Sequence, residues 1–141
     1  MAESKQITAY RAVIEEGFNR GNLRVLDQFI AANMIEHEPG ATEPGLEGLK
    51  NFVQMFRTAF PDLRMTVEEI WEVGDKVIAR LKNTGTNRGP FGDMPATGKK
   101  IEVTSIDIVR FSGEKCVEHW GVTDRMGMME QLGVMQSMQQ Q

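Results

Sequence analysis

The densest run of chemically capable side chains is Glu118-His119-Trp120-Gly121-Val122-Thr123-Asp124. Read as a strand of period 2, it puts Cys116, Glu118, Trp120, Val122 and Asp124 on one face. Val117, His119, Gly121 and Thr123 fall on the other. If the first face looks into a cavity, two carboxylates stand there beside an indole. A carboxyl against an aromatic, dehydrated wall holds its proton to higher pH than in water, because burial disfavours the anion. Such a group can take a proton from carbon and return it to oxygen. Asp124 is the candidate for that task. It also precedes a helix, so accepting a backbone N–H from Met126 or Gly127 as its N-cap is the competing reading. Trp120 serves either as core or as an indole donor to a substrate carbonyl. Glu118 is a strand-edge charge or a cavity carboxylate. His119 belongs to the outer face of a regular strand unless a bulge shifts the phase.

Three further residues are candidates for binding. His37, flanked by Glu36 and Glu38 before Pro39-Gly40, is a solvated or capping residue or a polar group at a cavity mouth. Asn87 shares its parity with Val77, Ala79 and Leu81, so its amide falls on the apolar face. A buried amide needs partners, and a ligand oxygen is one. Phe91, with Trp120 and the methionines, can supply apolar wall. Other chemistry finds little support. Gly85-Thr86-Asn87-Arg88-Gly89 lacks the phosphate-loop pattern and its following helix, and no Gly-x-Ser-x-Gly elbow or Cys–His pair is present. Two His and one Cys are too few for a typical Cys/His zinc site, so no metal is expected.

These residues need elements to hold them. Ile7, Tyr10, Ile14 and Phe18 recur at helical spacing from a start near Ser4 to a stop at Gly21. Asn22 can cap a second helix with Leu23, Leu26, Phe29 and Ile30. Residues 34–38 look extended, and Pro39-Gly40 and Pro44-Gly45 mark a loop. Leu46, Leu49, Val53, Phe56 and Phe60 form a third helical stripe ended by Pro61. The period then becomes 2. Met65, Val67, Glu69, Trp71 and Val73 share a strand face, and Gly74-Asp75 is a hairpin turn. Val77, Ala79 and Leu81 continue on the return strand toward Gly89. Residues 88–98 have turn composition, strands follow over 101–111 and 116–123, and a short Met-rich helix comes last. Three helices followed by about four longer strands argue an α+β domain, with helices packed on one face of a curved, mostly antiparallel sheet. Such a sheet leaves a concave cavity, a common ligand site.

Composition sets outer limits. The 141 residues, 40% hydrophobic and 26% charged, suit one domain spanning 1–141, with 134–141 expected to fray. A net charge of −4 without a basic run lacks the footprint of a nucleic-acid binder. No 18-residue apolar stretch exists to span a membrane, and the N-terminus has no signal-peptide core. Cys116 alone forms no internal disulfide, which fits a reducing compartment. A cytoplasmic protein is the expectation.

Taken in order, several segments resemble the SnoaL-like polyketide cyclases, or ester cyclases, of the NTF2-like superfamily. They are His37-Glu38-Pro39, Gly45-Leu46-Glu47-Gly48-Leu49, Ala59-Phe60-Pro61-Asp62-Leu63, Gly85-Thr86-Asn87-Arg88-Gly89 and Pro95-Ala96-Thr97-Gly98-Lys99. Glu118-x-Trp120-x-x-x-Asp124 and Gln131-Leu132-Gly133 complete the series, and the resemblance covers about residues 7 to 133. It implies an NTF2-like cone with N-terminal helices in the concave face of the sheet. It also implies a homodimer or higher oligomer, and ring closure of a polyketide-like or related carbonyl substrate by intramolecular aldol condensation without metal or cofactor. Asp124 matches the residue that the family uses as acid and base. Asn87 stands where the family commonly has histidine, and an amide can only hydrogen-bond there. Two other functions compete. One is a small-apolar-ligand carrier without catalysis. The other is a hydrolase or isomerase in the same cone, although the Asp-Arg-Asp set of NTF2-like epoxide hydrolases has no counterpart, with Asp107 and Arg110 on opposite parities.

Overall fold

A computed structural model describes residues 3–135; most of the expected frayed tail, 136–141, lies outside the described residues. Helix α1 (Lys5–Ala12) is capped by Ser4, whose side chain accepts the Ile7 N–H at 3.1 Å. It continues as a wider turn over Val13–Phe18, in which the Asn19 N–H reaches the Ile14 carbonyl. After Gly21, which takes a positive φ of 71°, α2 (Arg24–Phe29) leads directly into strand β1 (Ile30–Glu36). Ile30, assigned by periodicity to the second helix, therefore starts a strand. Helix α3 (Gly45–Ala59) buries Val53 and Phe56, as its apolar stripe predicts, together with Ala59, and ends before Pro61.

Strands β2 (Arg64–Val73), β3 (Lys76–Thr86), β4 (Lys100–Ser112) and β5 (Lys115–Thr123) form an antiparallel meander. Gly74, at a φ of 61°, makes the β2–β3 turn as its position before Asp75 predicts. The sheet order is β1-β5-β4-β3-β2, and β1 joins β5 in parallel. The α+β architecture is as expected, with this fifth, parallel strand added at the edge.

One core cluster packs Tyr10, Ile14, Leu26 and Val53 against Val77, Ala79, Leu81 and Val109 of the sheet. A second joins the end of α3 (Phe56, Phe60) to Ile101, Val103 and α4 (Arg125–Leu132) through Met128 and Leu132. The opposite sheet face carries exposed Trp71, Ile106 and Val122. Among the described residues, no helix is long and apolar enough to cross a membrane.

Two strands change phase midway. In β2, Val67 pairs with Leu81 but Glu69 pairs with Arg80, leaving Glu68 as an extra residue. In β5, Cys116 pairs with Phe111 but Glu118 pairs with Arg110, so Val117 is extra. A bulge of this kind turns every following side chain to the opposite face.

Candidate active site

The bulge at Val117 decides which part of the last strand enters the cone. Cys116 faces inward before it; after it, His119 and Thr123 line the interior with Gly121 between them. The partners of His119 come from elements distant in sequence. Its Nε2 lies 2.9 Å from Asp107 Oδ1 on β4, and its Nδ1 lies 2.6 Å from Glu36 Oε1 at the end of β1. Tyr10 of α1 donates its hydroxyl to the other Asp107 oxygen at 2.6 Å. Glu38, just beyond β1, accepts the Thr123 hydroxyl at 2.9 Å. Parallel pairing of β1 with β5 brings Glu36 opposite His119.

This cluster borders a cavity of about 120 Å³ whose other walls include Ile14, Phe18, Leu49, Phe52, Met65 and Val109. One enclosed water needs about 10–15 Å³ on the same scale, so the space admits an organic molecule. Charged groups in the wall of a largely apolar chamber suit a compound with an apolar body and a polar reacting group.

Protons are unevenly held. Burial alone would lower the His119 pKa, but its hydrogen bonds to Asp107 and Glu36, and their charges, push it up to about 10. His119 is therefore an imidazolium at neutral pH, with both N–H groups engaged by carboxylates. Burial, aided by the nearby Asp107, pushes the Tyr10 phenol well above its ordinary value. Glu38 is also raised, chiefly by burial, against the opposing hydrogen bond from Thr123. Burial pushes the Cys116 thiol up to about 12, which leaves it a poor nucleophile.

Glu38, Asp107 and His119 each offer a ligand atom, all within 4.8 Å of one another. As a metal set they are poorly prepared, because a ligating imidazole must be deprotonated and His119 holds its proton between two carboxylates.

The residues singled out in sequence lie elsewhere. Asp124 is exposed at the start of α4, where its side chain accepts the Gly127 N–H at 2.8 Å. The capping reading describes its position, and it does not line the cavity. Glu118, Trp120 and His37 do come together, but on the outer side of the sheet. The rings of His37 and Trp120 stack at 5.0 Å, while Glu118 lies 2.7 Å from His37 Nε2 and 2.9 Å from an Arg110 nitrogen. Hydrogen bonds from His37 and Arg110 hold the Glu118 carboxyl below its usual range. Phe91 packs edge-on against Phe56 and Phe60.

Asn87 is buried as its parity predicts, yet protein groups use its whole amide. Nδ2 donates to the Ala59 and Gly89 carbonyls, and Oδ1 accepts from the Thr97 N–H and hydroxyl. The expected ligand oxygen is thus replaced by a clamp that ties the end of α3 to the 88–98 loop.

Sequence reasoning passed over Tyr10, Glu36, Glu38 and Asp107 and put His119 on the outer face. One signal was present. Ile101, Val103, Val109 and Phe111 alternate as an apolar face, with Ser105 and Asp107 on the same parity. A carboxylate within an apolar stripe needs a partner or a function.

Fold and site define a class: an α+β cone with acid–base groups in the wall of a largely apolar chamber. Residues 7–132 match the family model of the SnoaL-like polyketide cyclases, and the chain belongs to that family. It is 32% identical over 136 residues to the aklanonic acid methyl ester cyclase DnrD of Streptomyces peucetius, covering 92% of each chain. DauD of Streptomyces sp. (strain C5), of the same description, is also 32% identical, with 92% of this chain and 83% of the relative covered. Among solved structures, TsrD from Streptomyces laurentii superposes with a TM-score of 0.86 at 26% identity, covering 95% of this chain and 98% of the other. IdmH from Streptomyces antibioticus gives 0.80 at 31% identity, covering 93% and 100%.

Proposed function

We propose that this chain closes a ring in a polyketide-like carbonyl substrate by intramolecular aldol condensation, with Glu38 moving the proton. The observation that carries this is a half-buried carboxyl of raised proton affinity lining a largely apolar cavity. Glu38 takes a proton from a carbon flanked by carbonyls, and that carbon bonds to a second carbonyl of the same molecule. The proton returns from Glu38 to the new oxygen, leaving a hydroxyl. Atoms balance without an oxidant or co-reactant. The His119 imidazolium, its ring held by Asp107 and Glu36, lies near Glu38 and partly offsets the negative charge of the surrounding carboxylates. Confinement of the folded substrate limits unproductive conformers. The exposed Trp71, Ile106 and Val122 support association of like chains through the outer sheet face.

The family resemblance offers Asp124 for the same role, and two variants separate the assignments. With aklanonic acid methyl ester as probe, Glu38→Gln is expected to lower turnover at least about 100-fold, the usual scale of general-base help. Asp124→Asn keeps a capping side chain and is expected to stay within a few-fold of wild type. The reverse result, in folded proteins, hands the proton to Asp124. Binding of the probe by wild type without turnover favours a carrier.

A further inference from the structure

Asn83 and Ser105 form a polar pair on the inner sheet face that the chemistry above does not use. Asn83 lies on β3 in phase with Val77, Ala79 and Leu81, and is 4% exposed. Its Nδ2 donates to Ser105 Oγ at 2.9 Å. Its Oδ1 is buried and has no hydrogen-bond partner among the described residues. Both residues line the cavity. This amide contrasts with Asn87 on the same strand parity, all of whose hydrogen-bonding capacity is taken by protein groups. A buried acceptor without a partner is rare in native proteins, because it has lost water and gained nothing. Here the unused oxygen borders the chamber in which substrate is proposed to bind.

We propose that Asn83 Oδ1 is a specificity-determining contact that accepts a hydrogen bond from a hydroxyl of the substrate, with Ser105 holding the amide in orientation. This rests on the cavity being the substrate site and adds the chemical class of the ligand. The substrate is a hydroxylated carbonyl compound, carrying a phenol or alcohol remote from the carbon that loses its proton. The spacing follows from the sheet. Asn83 is on β3, and Thr123, which holds Glu38, is on β5, two strands away in the sheet order. Two strand spacings of about 4.8 Å separate the two backbones by roughly 10 Å, which sets the outer scale of the distance across the concave face. A compound methylated at that hydroxyl brings no donor to the Asn83 oxygen. Selection by a buried acceptor works through this unmade bond.

The test is equilibrium binding of two probes, 2-hydroxyanthraquinone and 2-methoxyanthraquinone, followed by absorbance titration. Wild type is expected to bind the hydroxy compound about tenfold more tightly. Asn83→Leu and Asn83→Val are each expected to abolish that preference while still binding the methoxy compound; having both guards against one failing to fold. Equal affinity for the two probes in wild type overturns the proposal, as does a preference that survives in a folded Asn83 variant. Failure to bind either probe overturns it together with the cavity as ligand site. A preference that persists alongside normal turnover in Glu38→Gln leaves the Asn83 contact standing and removes only the assignment of the proton carrier.

Discussion

At the scale of single residues, Gly121 is what lets the carboxyls approach one another. A Cβ at this position would lie 2.6 Å from Glu38 Oε1 and 3.0 Å from Asp107 Oδ1 and from His119 Cε1. Glu38 is a flexible side chain and can give way, so the fold need not suffer. Its carboxyl would lose its place beside Thr123 and the imidazolium. Gly121→Ala is therefore expected to lower turnover at least about tenfold while shifting the thermal midpoint by no more than a few degrees. Steady-state rates and a melting curve on the same preparation check this. An unchanged rate would mean that Glu38 need not occupy this position during turnover. No such space limits Asp124, whose side chain already caps α4 from an exposed position.

At the scale of elements, the phase of a strand matters more than its composition. The helices were readable because a 3.6 period survives small irregularities: the stripe Leu46, Leu49, Val53, Phe56, Phe60 lies where α3 packs. Strands have a period of 2, and one extra residue inverts them. Extrapolation through β2 put Trp71 and Val73 with Met65 and Val67, whereas the bulge at Glu68 leaves Trp71 and Val73 exposed and packs Ile70 on the core. Extrapolation through β5 did the same, placing Glu118 and Trp120 inside in place of His119. Nothing in Cys116-Val117-Glu118 announces a bulge, since both apolar residues suit either face. The uninterrupted phase of β3 and β4 was legible, and with it the burial of Asn87. What sequence could not supply was the partner of each polar group, because Tyr10, Glu36, Asp107 and His119 meet only through the sheet order. Deleting Val117 should remove the bulge and return β5 to unbroken alternation, with Glu118 next to Cys116 and His119 still facing inward. The expected result is a variant that keeps measurable turnover and a cooperative melting transition, read by activity assay and circular dichroism. Loss of both would contradict this account of Val117 as the one extra residue.

At the scale of the whole molecule, the half-buried cluster ties folding to pH. His119 moves from an ordinary value of 6.5 up to about 10 on folding. Between these values the folded chain holds a proton that the unfolded chain has released. Stability must then fall as pH rises, with the full contribution present below 6.5. Glu38, raised from 4.5, acts in the same direction, because the folded chain retains its proton longer. Asp62 acts oppositely: hydrogen bonds from Thr86, led by its backbone N–H, lower its value, so its contribution is lost as pH falls. Denaturant unfolding at pH 6.5 and pH 9 is dominated by the histidine, since this interval precedes lysine titration and reaches only the onset of the Cys116 step. Wild type is expected to lose on the order of a few kcal/mol across it. His119→Gln is expected to be less stable at pH 6.5, where Asp107 and Glu36 lack their shared cation, but to lose little more by pH 9. The two curves should therefore converge on the alkaline side. Parallel curves would place the alkaline sensitivity outside the cluster and remove the case for a resident imidazolium beside Glu38.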